Sequence, residues 1–171
     1  MLVNSKEKVA ELRHAVIRNA EVSYCALHDR LTQMQPMELW AAFKFDRIGC
    51  NSISGQPQNL IEQINQMHSN LVVLNAVDDL LDRHPGASFD VQLGVSSGYD
   101  VQSTDGKIVA ECFAVTTVSS NRKLEKDCVK LMASSASQKY VYFYSHQDNQ
   151  EKLNKQFAKY PDIIFRRIVC F

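Results

Sequence analysis

A change of hydrophobic period at His84-Pro85-Gly86 constrains this chain more than any other feature. Before it, Leu60, Ile61, Ile64, Met67, Leu71, Leu74, Val77, Leu80 and Leu81 recur at three- and four-residue steps. That is the stripe of an amphipathic helix, which begins near Gln58 and which the His-Pro-Gly run stops. After it, Phe89, Val91, Leu93 and Val95 alternate with Asp90, Gln92 and Gly94. That period of two belongs to a strand. A chain using both periods buries its apolar faces by packing helices on a sheet.

The remaining segments extend the same pattern. Ser96-Ser97-Gly98 turns the chain, Tyr99 to Ser103 reads as a second strand, Thr104-Asp105-Gly106 as a hairpin turn, and Lys107 to Thr117 as a third strand. Ser119-Ser120-Asn121 then caps a helix with Leu124, Cys128, Leu131 and Met132 on its apolar face. Tyr140 to Tyr144 is an unbroken aromatic and β-branched run, as in a buried central strand. A helix over Asn149 to Tyr160 and a strand over Ile163 to Val169 complete the order.

Upstream, Val9, Leu12, Val16, Ile17, Ala20, Tyr24, Leu27 and Leu31 mark a long helix from Lys6 to Met34, with Ser5 as its N-cap. Pro36 interrupts it, and Met37 to Phe43 resumes as a shorter helix, so the two are expected to form a helical hairpin. The turn-rich stretch from Arg47 to Gln58 reads as a loop. The expected architecture is a single α/β domain over residues 1–171, with a helical region at 1–50 packed on a mixed-sheet core at 58–171. The strand over Lys107 to Thr117 and the strand over Tyr140 to Tyr144 should be adjacent and parallel, because a helix connects them.

Lysine plus arginine equals aspartate plus glutamate at 19 each, so no global surplus attracts polyanions. The charge is uneven, however. Residues 1–106 carry 8 basic and 13 acidic side chains, whereas residues 107–171 carry 11 basic and 6 acidic. One end of the molecule can therefore face a polyanion. No stretch reaches the ~20 apolar residues of a membrane span, and Met1 to Lys6 lacks a signal-peptide core. A cytoplasmic location without membrane association is expected. Cys25, Cys50, Cys112, Cys128 and Cys170 make no C-x-x-C pair, and all five read as small buried hydrophobes.

Two acids stand where a half-buried sheet normally holds apolar residues. Asp100 follows Gly98-Tyr99, and Glu111 lies within Ile108 to Val115. An ionised carboxylate in such a run costs on the order of several kcal/mol unless a cation or donors meet it. Strands joined by a tight hairpin are antiparallel neighbours, so Asp100 and Glu111 come close to being cross-strand partners. A divalent metal between them would satisfy both. The plainer alternative gives Glu111 an exposed face or a basic partner and makes Asp100 the end of a turn. Strand alternation puts Cys112 on the opposite face from Glu111, with Ile108, Ala110 and Ala114. The five histidines make no metal-ligand spacing; His14 and His28 read as surface residues, and His146 can reach a site edge.

Over about residues 58–146 the helix-strand-strand-strand-helix-strand order, with Gly98-Tyr99-Asp100 and Glu111-Cys112-Phe113, resembles the PD-(D/E)XK nuclease superfamily, the restriction-endonuclease-like fold. The resemblance implies a Mg2+- or Mn2+-dependent endonuclease with Asp100 and Glu111 as metal ligands. Glu62 on the preceding helix is a third candidate ligand; otherwise it is a solvated acid of a first helical turn. The family pattern places a lysine two residues after the strand acid, where this chain has Phe113, and no proline precedes Asp100. Some members supply the lysine from the next helix. There Lys126 lies about 200° from Leu124 and Lys123 about 100°, so Lys123 is the better catalytic candidate.

The implied partner is nucleic acid, DNA foremost, with Arg122, Lys126, Lys130, Arg166 and Arg167 as phosphate contacts. Two alternatives stay open: a degenerate nuclease fold that only binds nucleic acid or protein, and an assembly module. In the latter the long first helix is the dimerisation element, and a homodimer is among the expected assemblies.

Overall fold

The computed structural model describes residues 1–94, 97–147 and 149–169. It is an α/β protein in which five helices pack against a six-strand mixed open sheet. The elements are β1 (Leu2–Val3), α1 (Lys6–Leu31), α2 (Pro36–Phe45), β2 (Gly49–Cys50), β3 (Pro57–Gln58), α3 (Leu60–Arg83), β4 (Phe89–Val91), β5 (Val101–Ser103), β6 (Ile108–Val115), α4 (Lys123–Met132), β7 (Gln138–Ser145), α5 (Gln150–Phe157) and β8 (Ile164–Arg167). The main sheet runs β1-β4-β5-β6-β7-β8. The β1, β4, β5 and β6 neighbours pair antiparallel, and β6-β7 and β7-β8 pair parallel.

The three strands after the His-Pro-Gly stop and the parallel β6-β7 pair are therefore as expected from the sequence. The first of these strands ends at Val91, earlier than the alternation through Val95 suggests; Val95, read as strand, and Ser96, read as turn, lie outside the described residues. Gly106 has φ +73°, a conformation that L side chains rarely adopt, and it closes the four-residue connection between β5 and β6. Asp105 holds that connection, its Oδ1 accepting from Ser103 Oγ at 2.7 Å and Lys107 N at 3.1 Å, and these donors lower its pKa to about 2.

Alternation along β6 divides the core. Ile108, Ala110 and Cys112 join Tyr140, Tyr142 and the α3 residues Val73, Val77 and Leu80 on one face of the sheet. Val109, Phe113, Val141 and Phe143 join Leu124, Cys128 and Leu131 of α4 on the other. Glu111 thus faces α4, and Cys112 lies opposite it, as the alternation requires.

The N-terminal region departs from the expectation in three ways. Leu2–Val3 adds an edge strand to the sheet, and the segment read as a loop holds the small β2-β3 ribbon. The two consecutive helices share no apolar seam: α1 supplies Val9, Leu12 and Val16 to the core, while α2 buries only Ala42 and leaves Met37, Trp40 and Phe45 exposed. Third, the buried side of α1 continues through Asn19 and Ser23 rather than Ile17, Tyr24 and Leu31, which are exposed. The reason is the backbone of the β2-β3 connection. Asn19 Nδ2 donates to the carbonyls of Asn51, Ser52 and Ile53 at 3.3, 3.0 and 3.3 Å. Buried carbonyls demand such donors, and Leu or Ile has none. Cys50, Cys112 and Cys128 are buried as expected, but Cys25 is exposed on α1, and Cys170 lies outside the described residues.

Candidate functional site

The β5-β6 register sets Val101 opposite Ala110 and Gln102 opposite Val109. Continued by one residue, it places Asp100 opposite Glu111. The two carboxyl groups are close enough for each to shift the titration of the other. Asp100 is fixed from both ends, its carbonyl accepting from Gln92 N at 2.8 Å and its Oδ2 from Cys112 N at 2.7 Å.

A third acid joins them from α4. Leu124, Asp127, Cys128 and Leu131 are that helix's buried positions, so Asp127 sits inside the apolar stripe and is only 4% exposed. Its Oδ1 accepts from Lys123 Nζ at 2.8 Å, while its Oδ2 has no partner. Sequence reasoning passed over Asp127 because Lys123 and Asp127 look like a solvated i,i+4 pair. The available signal was its place at i+3 between Leu124 and Cys128.

Lys130, one turn further along α4, lies with Nζ 2.5 Å from Glu111 Oε1. This is an ion pair not aligned as a hydrogen bond, and Oε1 finds no donor. The same ammonium donates to the Gly98 carbonyl and sits 5.1 Å from the centre of the Tyr99 ring. Lys130 therefore ties the segment before Asp100 to α4.

Crowding of acids in a buried place governs their titration. Glu111, 2% exposed, has its pKa raised from 4.5 to about 7; burial is the largest cause, the Lys130 contact opposes it, and the charges of Asp100 and Asp127 add to the rise. Asp100 and Asp127 are also raised, first by burial, against the pull of the lysines and, for Asp100, of the Cys112 N–H. Burial works against the charge of Lys123, but Asp127, Asp100 and Glu111 together hold its pKa above the usual value. The Cys112 thiol is pushed up, chiefly by burial, so it supplies no nucleophile at neutral pH.

Asp100 and Lys123 open onto a cavity of about 370 Å³ whose lining includes Phe113, Ser120, Asn121 and Lys126. Glu111 is buried and does not line it. Asn121 and Arg122 take left-handed conformations, with φ 53° and 55°, in the 3₁₀ turn Ser120–Arg122 that leads into α4. Phe113, at the position where the resembled family carries lysine, is 3% exposed and stacks on Phe143 with ring centres 6.0 Å apart.

The other candidates are dispersed. Glu62 stands in the first turn of α3, exposed, and accepts from Asn59 Nδ2 at 3.2 Å. It is not among the described residues that line the cavities at Asp100. Arg122 pairs with Glu125 at 2.7 Å and lines a different cavity, with Lys159 and Tyr160. Arg166 reaches Asp79 at 3.5 Å, and Arg167 donates to the Ser145 carbonyl at 2.7 Å, both from β8. Of the basic residues expected to meet phosphate, only Lys126 shares the cavity of Asp100 and Lys123.

Among the described residues no group of three His, Cys, Asp or Glu side chains is arranged to hold a metal, and no helix is long and apolar enough to cross a membrane. No protein-family model, curated protein or solved structure matches this chain.

Proposed function

We propose that the chain is a metal-dependent nuclease of the restriction-endonuclease-like kind, hydrolysing phosphodiester bonds of nucleic acid. The observation that carries this reading is the meeting of Asp100 and Glu111, from neighbouring antiparallel strands, beside Lys123 at the edge of an open cavity. Three buried acids with raised pKa values are met by two lysines, Lys123 and Lys130, and Glu111 Oε1 and Asp127 Oδ2 accept no hydrogen bond, so the acids outnumber the cations paired with them. That donor set suits Mg2+, which takes one or two carboxylates and keeps several waters, so a third protein ligand is not required. Asp100 and Glu111 would hold the ion.

When bound, such an ion lowers the pKa of a coordinated water and offsets charge on the phosphate. The rest is done by this chain's own side chains. Lys123 lines the cavity with its ammonium anchored on Asp127, so its charge is set in place to steady an anionic phosphorus centre. Ser120 and Asn121 supply donors around the same space. Lys130, by binding Gly98 and Glu111, keeps Asp100 aligned.

A second reading, a nuclease-like domain that binds without cleaving, is favoured by one observation: Phe113 fills the strand position of the missing lysine with a packed ring. One experiment separates the two. Wild-type chain is incubated with single- and double-stranded DNA and RNA in Mg2+ and in Mn2+, beside Asp100→Ala and Glu111→Ala. Cleavage by the wild type that both variants lose, with their circular dichroism intact, supports the nuclease. No cleavage by the wild type on any substrate, with activity created by Phe113→Lys, overturns it in favour of the binding module.

A further inference from the structure

The cavity at Asp100 does not end there. It shares Ser69, Gly94, Asp100 and Cys112 with a second cavity of about 200 Å³ against the polar side of α3, where Asn65, Gln66 and Asn70 stand. It also shares Ala114 and Val115 with a third, of about 380 Å³, that contains His68, Thr116, Tyr144 and His146. Asn65 in turn belongs to both the second and the third. The three adjoin one another along the chain from Cys112 to Thr116, with α3 on one side and the entry to α4 on the other, and together outline a trough.

Four residues of strand at about 3.3 Å each make a floor of roughly 13 Å. A nucleic-acid strand advances about 3.4 Å along its axis per nucleotide, so the trough is longer than the single phosphodiester that Asp100 and Lys123 address. Its far end is chemically distinct from the acid end. Among the described residues, Asp100 is the only acid in the combined lining. The far compartment holds instead two imidazoles and a phenol. His68 is oriented by its own helix, with Nδ1 2.8 Å from the Ile64 carbonyl, which places a proton on Nδ1. His146 reaches the compartment from the end of β7, across the floor from α3.

The geometry points to a second phosphate-and-base subsite at His68, Tyr144 and His146, within about four nucleotides of the acids, so that the substrate is a polynucleotide strand lying along the trough and not a mononucleotide or a simple diester. A phosphate only accepts, so it takes His68 and His146 as imidazolium donors, His68 through Nε2 while Nδ1 keeps the Ile64 carbonyl, and Tyr144 offers a ring to the neighbouring base. This inference rests on the nuclease reading for the identity of the ligand, but it concerns residues that reading does not use.

The test is binding in EDTA, where nothing is cleaved. Fluorescein-labelled DNA and RNA strands of two and of eight nucleotides are titrated with wild-type protein, His68→Ala/His146→Ala, His146→Gln and, as a distant control on the exposed side of α1, His14→Ala. The wild type should bind the eight-nucleotide strand more tightly than the dinucleotide. The double variant should lose about tenfold on the longer strand, the scale of one charge-assisted hydrogen bond, and His14→Ala should stay within twofold of the wild type. In the wild type, the ring resonances of His68 and His146 should shift with the longer strand and not with the dinucleotide. That measurement stands even if the double variant misfolds. Equal affinity of wild type and double variant for the longer strand, or histidine resonances that do not respond to it, overturns the subsite and leaves the nuclease reading intact. Binding with these effects but no cleavage in Mg2+ or Mn2+ upholds the subsite and removes the nuclease. No binding of either strand removes both.

Discussion

Replacing Glu111 by glutamine in the metal-free protein should raise its stability at alkaline pH and change it little near pH 4.5. The carboxyl is raised from 4.5 to about 7 in the folded chain, with burial as the leading cause. An acid whose pKa is higher when folded binds its proton more tightly in the native state, so its cost to stability is absent below the unfolded pKa and grows as pH rises from about 4.5 to about 7. At about 1.4 kcal/mol for each tenfold change in the proton equilibrium, the full cost is about 3 kcal/mol. Glutamine keeps the shape and removes the charge. The lysine it abandons, Lys130, has a side chain 40% exposed and keeps the Gly98 carbonyl, so releasing it adds little penalty. The assay is urea unfolding in EDTA at several pH values between 4.5 and 8.5, followed by circular dichroism, since the only tryptophan, Trp40, is exposed and a poor reporter. The variant's advantage should open with pH to about 3 kcal/mol. A glutamine variant less stable than wild type at pH 8, or a difference that does not vary with pH, refutes the claim that the Glu111 charge is held against its burial.

Two further outcomes follow from the geometry. Lys123→Ala should slow Mg2+-dependent cleavage by about 10²-fold, the usual loss for a positioned electrostatic group, whereas Lys126→Ala should do little; because Lys123 is also the partner of buried Asp127, adding Asp127→Asn should recover stability but not rate, as read by melting temperature and initial velocity side by side. Asn19→Ala should cost about 1–3 kcal/mol in urea unfolding, because it strands buried carbonyls of the β2-β3 connection, and a cost below a few tenths would show that water takes over those bonds.

Periodicity alone determined most of the sheet. The shift to period two after Pro85, the Asp105-Gly106 turn and the capped helix before Tyr140 fix three antiparallel strands and a parallel fourth, because each is a local pattern that only one arrangement buries. Two members of the site were legible for the same reason: Asp100 and Glu111 are acids in apolar runs on either side of a hairpin, so their meeting follows from pairing. What lay beyond the sequence depends on partners distant along the chain. Asn19 and Ser23 take the buried side of α1 only because the carbonyls of residues 51–53 arrive there. Asp127 becomes part of the acid cluster only when α4 is laid across β6, and Lys130 becomes the partner of Glu111 by the same docking. The trough that joins Asp100 to His68 and His146 exists only between α3, β6 and β7. No local pattern encodes a space bounded by elements some eighty residues apart; it is created when the helices close on the two faces of the sheet.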